Sequence, residues 1–315
     1  MLKLGFDSRW VQLIMSCVSS VQYRVNFNGV LTEVIKPSRG LRQGDPLSPY
    51  LFLLVAEGLS SMLQGAENRG DLVGIRVCRE APMISHLLFA DDSLILMQAD
   101  RNNADHLKAI LDTYCQNSGQ KISEAKSSIF FSGNTAVEDK AAVCGSLDIM
   151  TEALNDKYLG LPVMIGVDKS DCFRHLIDRV NNRINGRKEK MLSTGGKEVL
   201  IKSIAQAIPV FAMSFFRIPK KICDCISEAI ARFWWGDDEN HRRIHWKAWW
   251  RMCIPKQRGG LGYRDLYCFN QAMLAKQIWR FLCDPDSLCA RVMRCKYYPD
   301  GNILRARPKK GSSYT

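Results

Sequence analysis

The chain has 315 residues, 46% hydrophobic and 24% charged, close to the averages of soluble globular proteins, which excludes a disordered or fibrous class. At the usual ~100–200 residues per domain it holds two or three domains. Lysine and arginine outnumber aspartate and glutamate by 44 to 32, an excess that suits contact with a polyanion, and no apolar run approaches the ~20 residues needed to span a bilayer.

No secretory leader is read at the N-terminus, so the expectation is a nuclear or cytoplasmic protein with no membrane role. Its twelve scattered cysteines then stay reduced and pack as small apolar groups. No C-x-x-C pair stands at zinc spacing from downstream histidines.

In chain order, Trp10, Leu13, Ile14, Cys17 and Val18 recur at three- and four-residue spacing and predict a helix over 9–18. Tyr23, Val25 and Phe27 then alternate with polar residues up to Asn28-Gly29, the favoured two-residue hairpin turn, with a return strand over 31–35. A basic loop through Arg42, Gln43 and Gly44 leads into a long apolar segment ending near Leu63, expected to be a largely buried helix. Apolar runs over 84–90 and 94–97 flank Asp91-Asp92-Ser93 and predict a second hairpin with its acidic residues at the tip. A helix over 103–117, a strand over 127–131 and another short strand over 158–163 follow.

Beyond Lys169 the strand pattern fades. Helices are predicted over 172–187, 197–216 (with Pro209 as a kink), 220–235 and 270–282, and the tail from Pro299 is polar. Basic residues thicken in this half. The whole predicts an α+β first part built on antiparallel hairpins and a helical, basic second part.

Two adjacent carboxylates at an apolar hairpin tip raise a chemical question. Strand alternation sends neighbours to opposite faces, so it places Asp91 with Phe89 and Leu87 and leaves it free to look toward a carboxylate on another strand. Polymerases use such pairs to hold two magnesium ions about 4 Å apart. An Asp-Asp turn by itself is more often a solvated surface turn.

Context changes that reading. Phe89-Ala90-Asp91-Asp92 between apolar strands, following RGLRQGDPLSPYLF, closely resembles motifs of reverse transcriptases. Together with HLLFADDSLIL, YLGLPVMIG, GGKEVLIKSIAQAIPVFAMSFF and PKQRGGLGYRDL, the chain resembles the polymerases of plant non-LTR (LINE-type) retrotransposons from residue 1 to about residue 300. The resemblance implies a right-hand polymerase of α+β class: a partial palm over 1–166, a helical thumb over 167–265, and a helical connector with a polar tail over 266–315.

It further implies RNA-directed DNA synthesis on an RNA template and DNA primer, from deoxynucleoside triphosphates, by two-metal nucleotidyl transfer with Mg2+, or Mn2+ in its place. Asp91 and Asp92 match the metal-binding catalytic pair, Asp91 being the stronger candidate for direct coordination. Phe89 and Ala90 match positions beside the primer end and incoming nucleotide, and Arg42, Gln43 and Gly44 match the loop against the nascent base pair. Lys126, in ISEAKSS, matches a lysine that protonates the leaving pyrophosphate; an exposed lysine near a strand is the equal alternative. Leu159 and Gly160 fall in a primer-grip-like segment, or merely close the palm core.

Arg187, Lys188, Lys190, Lys197 and Lys202 gather on and between the expected thumb helices and are candidate phosphate contacts, or an ordinary charged face. Trp234, Trp235, Trp246, Trp249 and Trp250 are expected in the core rather than stacked on bases.

In the family a further palm aspartate lies upstream of the first helix; this sequence begins after that strand, and neither Asp7 nor Asp45 replaces it. The fingers are absent too. The expectation is a catalytically incomplete piece, inactive alone, whose partner is an upstream part of the same polymerase. The alternatives are a non-catalytic nucleic-acid-binding remnant and, less favoured given FADD and RGLRQGDPLSP, a group II intron maturase-like protein.

Overall fold

The computed structural model describes residues 1–38, 40–151, 157–162, 165–166, 169–186, 191–237 and 243–306. They fall into two compact units, Met1–Leu154 and Asn155–Thr315, a division that comes earlier than the expected boundary at 166.

In the first unit α1 (Ser8–Ser19) starts where the Asp7 carboxylate accepts the Arg9 N–H at 2.9 Å, satisfying one of the donors that a helix start leaves open. Strands β1 (Asn26–Phe27) and β2 (Val30–Leu31) pair antiparallel with Phe27 opposite Val30. Asn28 (φ 50°) and Gly29 (φ 87°) both adopt left-handed backbone, the geometry whose twist matches a hairpin.

Helix α2 (Ser48–Arg69) is 22 residues long, so it runs roughly 33 Å. It was expected to be largely buried. Only Leu59, Leu63 and Ala66 are buried, while Tyr50 and Leu53 are exposed. The reason is coverage: α3 (Arg101–Ser118) and the hairpin β3 (His86–Phe89) and β4 (Asp92–Ile95) pack around its second half, where Leu72, Leu107, Leu88, Ile95 and Met97 complete a small core. The α1 stripe fares likewise, with Ile14 buried and Trp10 and Leu13 exposed. Helix α4 (Val137–Leu147) was not foreseen; its anchor is the buried Val143. The strand expected over 127–131 reduces to one bridging residue, Ile129, whose N–H reaches the Thr151 carbonyl at 2.9 Å.

The second unit opens with β5 (Lys157–Tyr158) and β6 (Leu161–Pro162), a hairpin where a single strand was expected. Leu159 (φ 52°) and Gly160 (φ 75°) form its turn. Among the described residues seven helices follow: α5 (Lys169–Ile184), α6 (Thr194–Leu200), α7 (Val210–Met213), α8 (Lys220–Trp235), α9 (Trp249–Met252), α10 (Leu266–Cys283) and α11 (Leu288–Tyr297).

The single helix expected over 197–216 is broken. After α6 the chain widens into a π turn over Ile201–Ala205, and Pro209, which has no N–H to give, closes the segment before α7.

The core of this unit comes from facing stripes. Phe173, Leu176, Val180 and Ile184 of α5 meet Ile222, Ile226 and Ile230 of α8, each series recurring at three or four residues as helical burial requires. Ile201, Met213, Met252 and Leu266 fill the remainder. Leu266, Tyr267 and Phe269 at the start of α10 pack into this core as well. Buried Cys223 has its thiol pushed up to about 12 by burial, so it stays protonated and packs as an apolar group. No helix among the described residues is long and apolar enough to cross a membrane.

Candidate active site

The acidic hairpin is built as expected, but the two carboxylates exchange places relative to strand alternation. Phe89 lies opposite Asp92 and Leu87 opposite Leu94, and directly opposed residues share a face of an antiparallel pair. Asp92, not Asp91, therefore shares the face of Phe89 and Leu87. Asp91 and Ala90 form the two-residue turn, with Ala90 at φ 51°. Alternation stops where the chain leaves the strand, and that turn costs Ala90 a left-handed conformation disfavoured by its Cβ.

The two faces of the hairpin differ. Leu88 and Ile95 pack into the α2–α3 core. On the other side Leu87 is 38% and Phe89 59% exposed, and both aspartates are exposed. A rigid back thus presents an open front bearing an aromatic ring and two carboxylates.

A chain of hydrogen bonds fixes the base of β3 to α2. Ser85 donates to Glu67 Oε2 at 2.6 Å, so its oxygen can only accept from His86 Nδ1 at 2.9 Å. His86 Nδ1 then carries the proton, and the bare Nε2 accepts from Ser60 of α2 at 2.8 Å. Burial, outweighing Glu67 and Glu57, pushes the His86 imidazole below its ordinary value of 6.5.

A depressed histidine stabilises the fold above its ordinary value, and that contribution is lost as pH falls through 6.5 toward the lower folded value. Protonation would also put a second N–H against Ser60. The advantage of the wild-type chain over His86→Gln in urea unfolding is therefore expected to shrink between about pH 7 and pH 5. A gap that stays constant across that range would refute the assignment.

The Gln43–Gly44 loop stands at the amino end of α2. Gly44 has φ 82° with open space where a Cβ would point, so its backbone shape, not crowding, is what calls for glycine. Arg42 offers its carbonyl to the Ser48 hydroxyl at 2.7 Å, and Asp45 accepts the Leu47 N–H at 2.8 Å, which together pin the loop to the helix. A cavity of about 160 Å³ lies beside it, lined among others by Tyr23, Leu41, Arg42 and Asp45. Lys126 sits exposed on a short 3-10 turn, Glu124–Lys126. Leu159 and Gly160 are the turn of the β5–β6 hairpin, in the second unit.

Residues 1–163 match the family described as reverse transcriptase (RNA-dependent DNA polymerase). The chain belongs to that family. Among curated relatives, an uncharacterised mitochondrial protein of Arabidopsis thaliana is 43% identical over 34% of this chain and 71% of its own length. A putative ribonuclease H protein of the same plant is 33% identical over 44% of this reverse transcriptase chain, and an uncharacterised protein of transposon TX1 from Xenopus laevis is 25% identical over 90% of it. The matched segments span only 22% and 21% of those two proteins.

Reverse transcriptases generally use divalent metal ions, and two carboxylates supply the hard oxygen donors magnesium takes. In type Asp91 and Asp92 fit such an ion. In number they fall short of a two-metal set, for no cluster of three or more His, Cys, Asp or Glu side chains among the described residues could hold a metal ion.

Of the candidate phosphate contacts, Arg187, Lys188 and Lys190 lie outside the described residues. Lys202 is already engaged: its ammonium meets Glu198 and the Leu261 carbonyl, both at 2.7 Å, and Lys256 joins Glu198 at 2.6 Å. That arrangement ties α6 to the 256–263 loop. Lys197 has no such carboxylate among the described residues. The tryptophans divide, with Trp234, Trp235 and Trp249 against the core and Trp246 and Trp250 exposed. Sequence reading missed Ser60, Glu67, Ser85 and His86 as a unit, because Ser60 and His86 meet across 26 residues with no local pattern to announce them.

Proposed function

We propose that the β3–β4 tip is the metal-anchoring part of a non-LTR retroelement polymerase site, with the first unit as a partial palm and the second as a thumb and connector. The observation that carries this reading is the asymmetry of the hairpin, whose Leu88 and Ile95 face is set in a core while Phe89, Asp91 and Asp92 stand open. A two-metal set needs a further carboxylate beside these two, since no cluster of three or more metal-ligating side chains occurs among the described residues. When bound, the divalent ions would activate the primer 3′-hydroxyl and offset charge on the departing pyrophosphate.

In this reading this chain's own residues position and shield. Phe89 packs against the primer end, the backbone of Gln43 and Gly44 lies along the nascent base pair with Arg42 beside it, the Leu159–Gly160 turn steadies the primer strand, and Lys126 holds a proton for the leaving group. The substrates are an RNA template, a DNA primer and deoxynucleoside triphosphates.

The 315 residues alone are expected to give no magnesium-dependent primer extension. Extension by the isolated chain that disappears in Asp91→Ala would overturn the claim of incompleteness. In a polymerase completed upstream, Asp91→Asn and Asp92→Asn are each expected to slow extension about a thousandfold, the worth of several kcal/mol of metal-borne charge stabilisation. Retention of more than about a tenth of the rate by both would remove the hairpin from the metal site.

A second reading, nucleic-acid binding without chemistry, is favoured by Lys197 and Arg243, two cations that share the end of α8 with no carboxylate bridging them among the described residues.

A further inference from the structure

At the carboxyl end of α8 two cations converge on a glycine. A Cβ at Gly236 would lie 3.6 Å from Lys197 Nζ and 3.8 Å from Arg243 Cζ, so both groups border the same small space. Lys197 is half-buried, and its ammonium is pushed below the ordinary lysine value first by burial and then by the Arg243 guanidinium. Like charges held this close call for an anion.

Among the described residues, neither neighbouring acid bridges the two cations. Asp237 accepts the Arg243 backbone N–H at 3.0 Å with one oxygen and meets His245 Nε2 at 3.1 Å with the other. Glu198, on the helix that carries Lys197, is held by Lys202 and Lys256. The carbonyl end of α8 helps, with Trp234 O at 3.4 Å from Lys197 Nζ. A helix terminus, however, is worth only about half an elementary charge, so together with the single Asp237 carboxylate it leaves the two cations short of neutral.

Immediately before Gly236, Trp234 and Trp235 wall an open groove of about 320 Å³ with Thr194, Lys247, Met252 and Leu261. His245 lies along Trp235 with centroids 5.8 Å apart and planes 22° from parallel, which holds the indole in place. A cationic notch beside an indole-walled groove has the pattern of single-strand recognition, where the phosphate is neutralised and the base stacks without regard to sequence.

We propose that this end of the second unit binds one nucleotide of a single nucleic-acid strand, its phosphate between Lys197 and Arg243 over Gly236 and its base in the groove against Trp235. The assignment rests on the reading of the second unit as nucleic-acid-facing. Glycine at 236 keeps the notch clear for the anion.

The test uses the full chain and a short labelled oligothymidylate followed by fluorescence anisotropy. Gly236→Asp and Gly236→Asn introduce side chains of nearly equal size, and both residues tolerate the left-handed φ of 77° found there. Only the aspartate sets a fixed negative charge between the cations. Gly236→Asp is expected to weaken binding about tenfold or more and Gly236→Asn by no more than about twofold, while Lys197→Gln with Arg243→Gln lowers the salt slope by roughly 0.7, the single-strand value for one neutralised phosphate.

Equal binding by the two Gly236 variants, or an unchanged slope, overturns the site; if neither folds, the double glutamine variant decides alone. Trp235→Leu is expected to weaken binding of oligothymidylate more than of an abasic strand, and equal losses would overturn the base's place. Displacement of the probe by thymidine monophosphate at equal nucleotide concentration would assign the notch to a free nucleotide and overturn the strand. Failure of the wild-type chain to bind oligothymidylate at low salt sinks the nucleic-acid reading itself, whereas binding indifferent to every variant sinks only this site.

Discussion

Phe173→Ala is expected to destabilise the second unit by about 3–5 kcal/mol, the usual cost of removing a fully buried aromatic ring and leaving a cavity. Phe173 is 0% exposed, rests against Phe216 with ring centroids 5.7 Å apart, and sits where α5 meets the Ile222–Ile226–Ile230 stripe of α8. Neighbours drawn from several helices cannot all collapse into the space. Urea unfolding followed by far-UV circular dichroism reads the change directly. Trp246→Ala removes a larger ring that is 80% exposed, and should cost less than about 0.5 kcal/mol. If the two variants were equally stable, the core described for this unit would be wrong.

Asn270→Ala carries the second large effect, about 3 kcal/mol or more, through unpaired backbone rather than lost volume. Asn270 is 1% exposed; its Oδ1 accepts the Ile218 N–H at 2.9 Å, and its Nδ2 donates to the Met213 and Phe216 carbonyls at 2.8 and 2.9 Å. One side chain therefore satisfies three backbone groups where the chain breaks between α7 and α8. Alanine leaves all three without a partner in a dry interior.

Asn270→Asp adds a sign test. A carboxylate still accepts from Ile218 but faces two carbonyls, which raises its folded pKa. Stability of that variant relative to wild type should then recover as pH falls into and below the ordinary carboxylate range, because the neutral acid can donate to one carbonyl. The quantity to measure is the difference in unfolding midpoint between Asn270→Asp and wild type across acid pH. A difference that widens in acid would contradict the hydrogen-bond assignment.

Much of the local architecture was legible. Asn28-Gly29 announced its turn because few residue pairs tolerate two left-handed conformations in succession. Lys220–Trp235 announced its helix because Ile222, Ile226 and Ile230 recur once per turn. The acidic hairpin was legible because two apolar runs need a polar reversal between them. The family was legible from strings of residues whose order is specific.

What failed was whatever depended on where an element ends or what covers it. Alternation gave Asp91 the face that belongs to Asp92, since a period of two holds only while the chain remains a strand. The Pro209 break was visible, but the π turn at Ile201–Ala205 before it was not. The apolar stripes of α1 and α2 were read correctly as stripes, yet Trp10, Leu13 and Leu53 lie open because no described element packs on them.

By itself, then, the sequence determined which segments become helices and hairpins, where the paired aspartates stand along the chain, and the family to which it belongs. These depend on neighbours within a few positions or on residue order. Only the tertiary structure decided that Lys202 is spent on Glu198 and Leu261 while Lys197 shares its space with Arg243, and that Ser60, His86, Ser85 and Glu67 form one hydrogen-bonded line. A charge or a hydroxyl acquires its role from the group it faces, and those groups arrive from distant parts of the chain, at separations that no periodicity records.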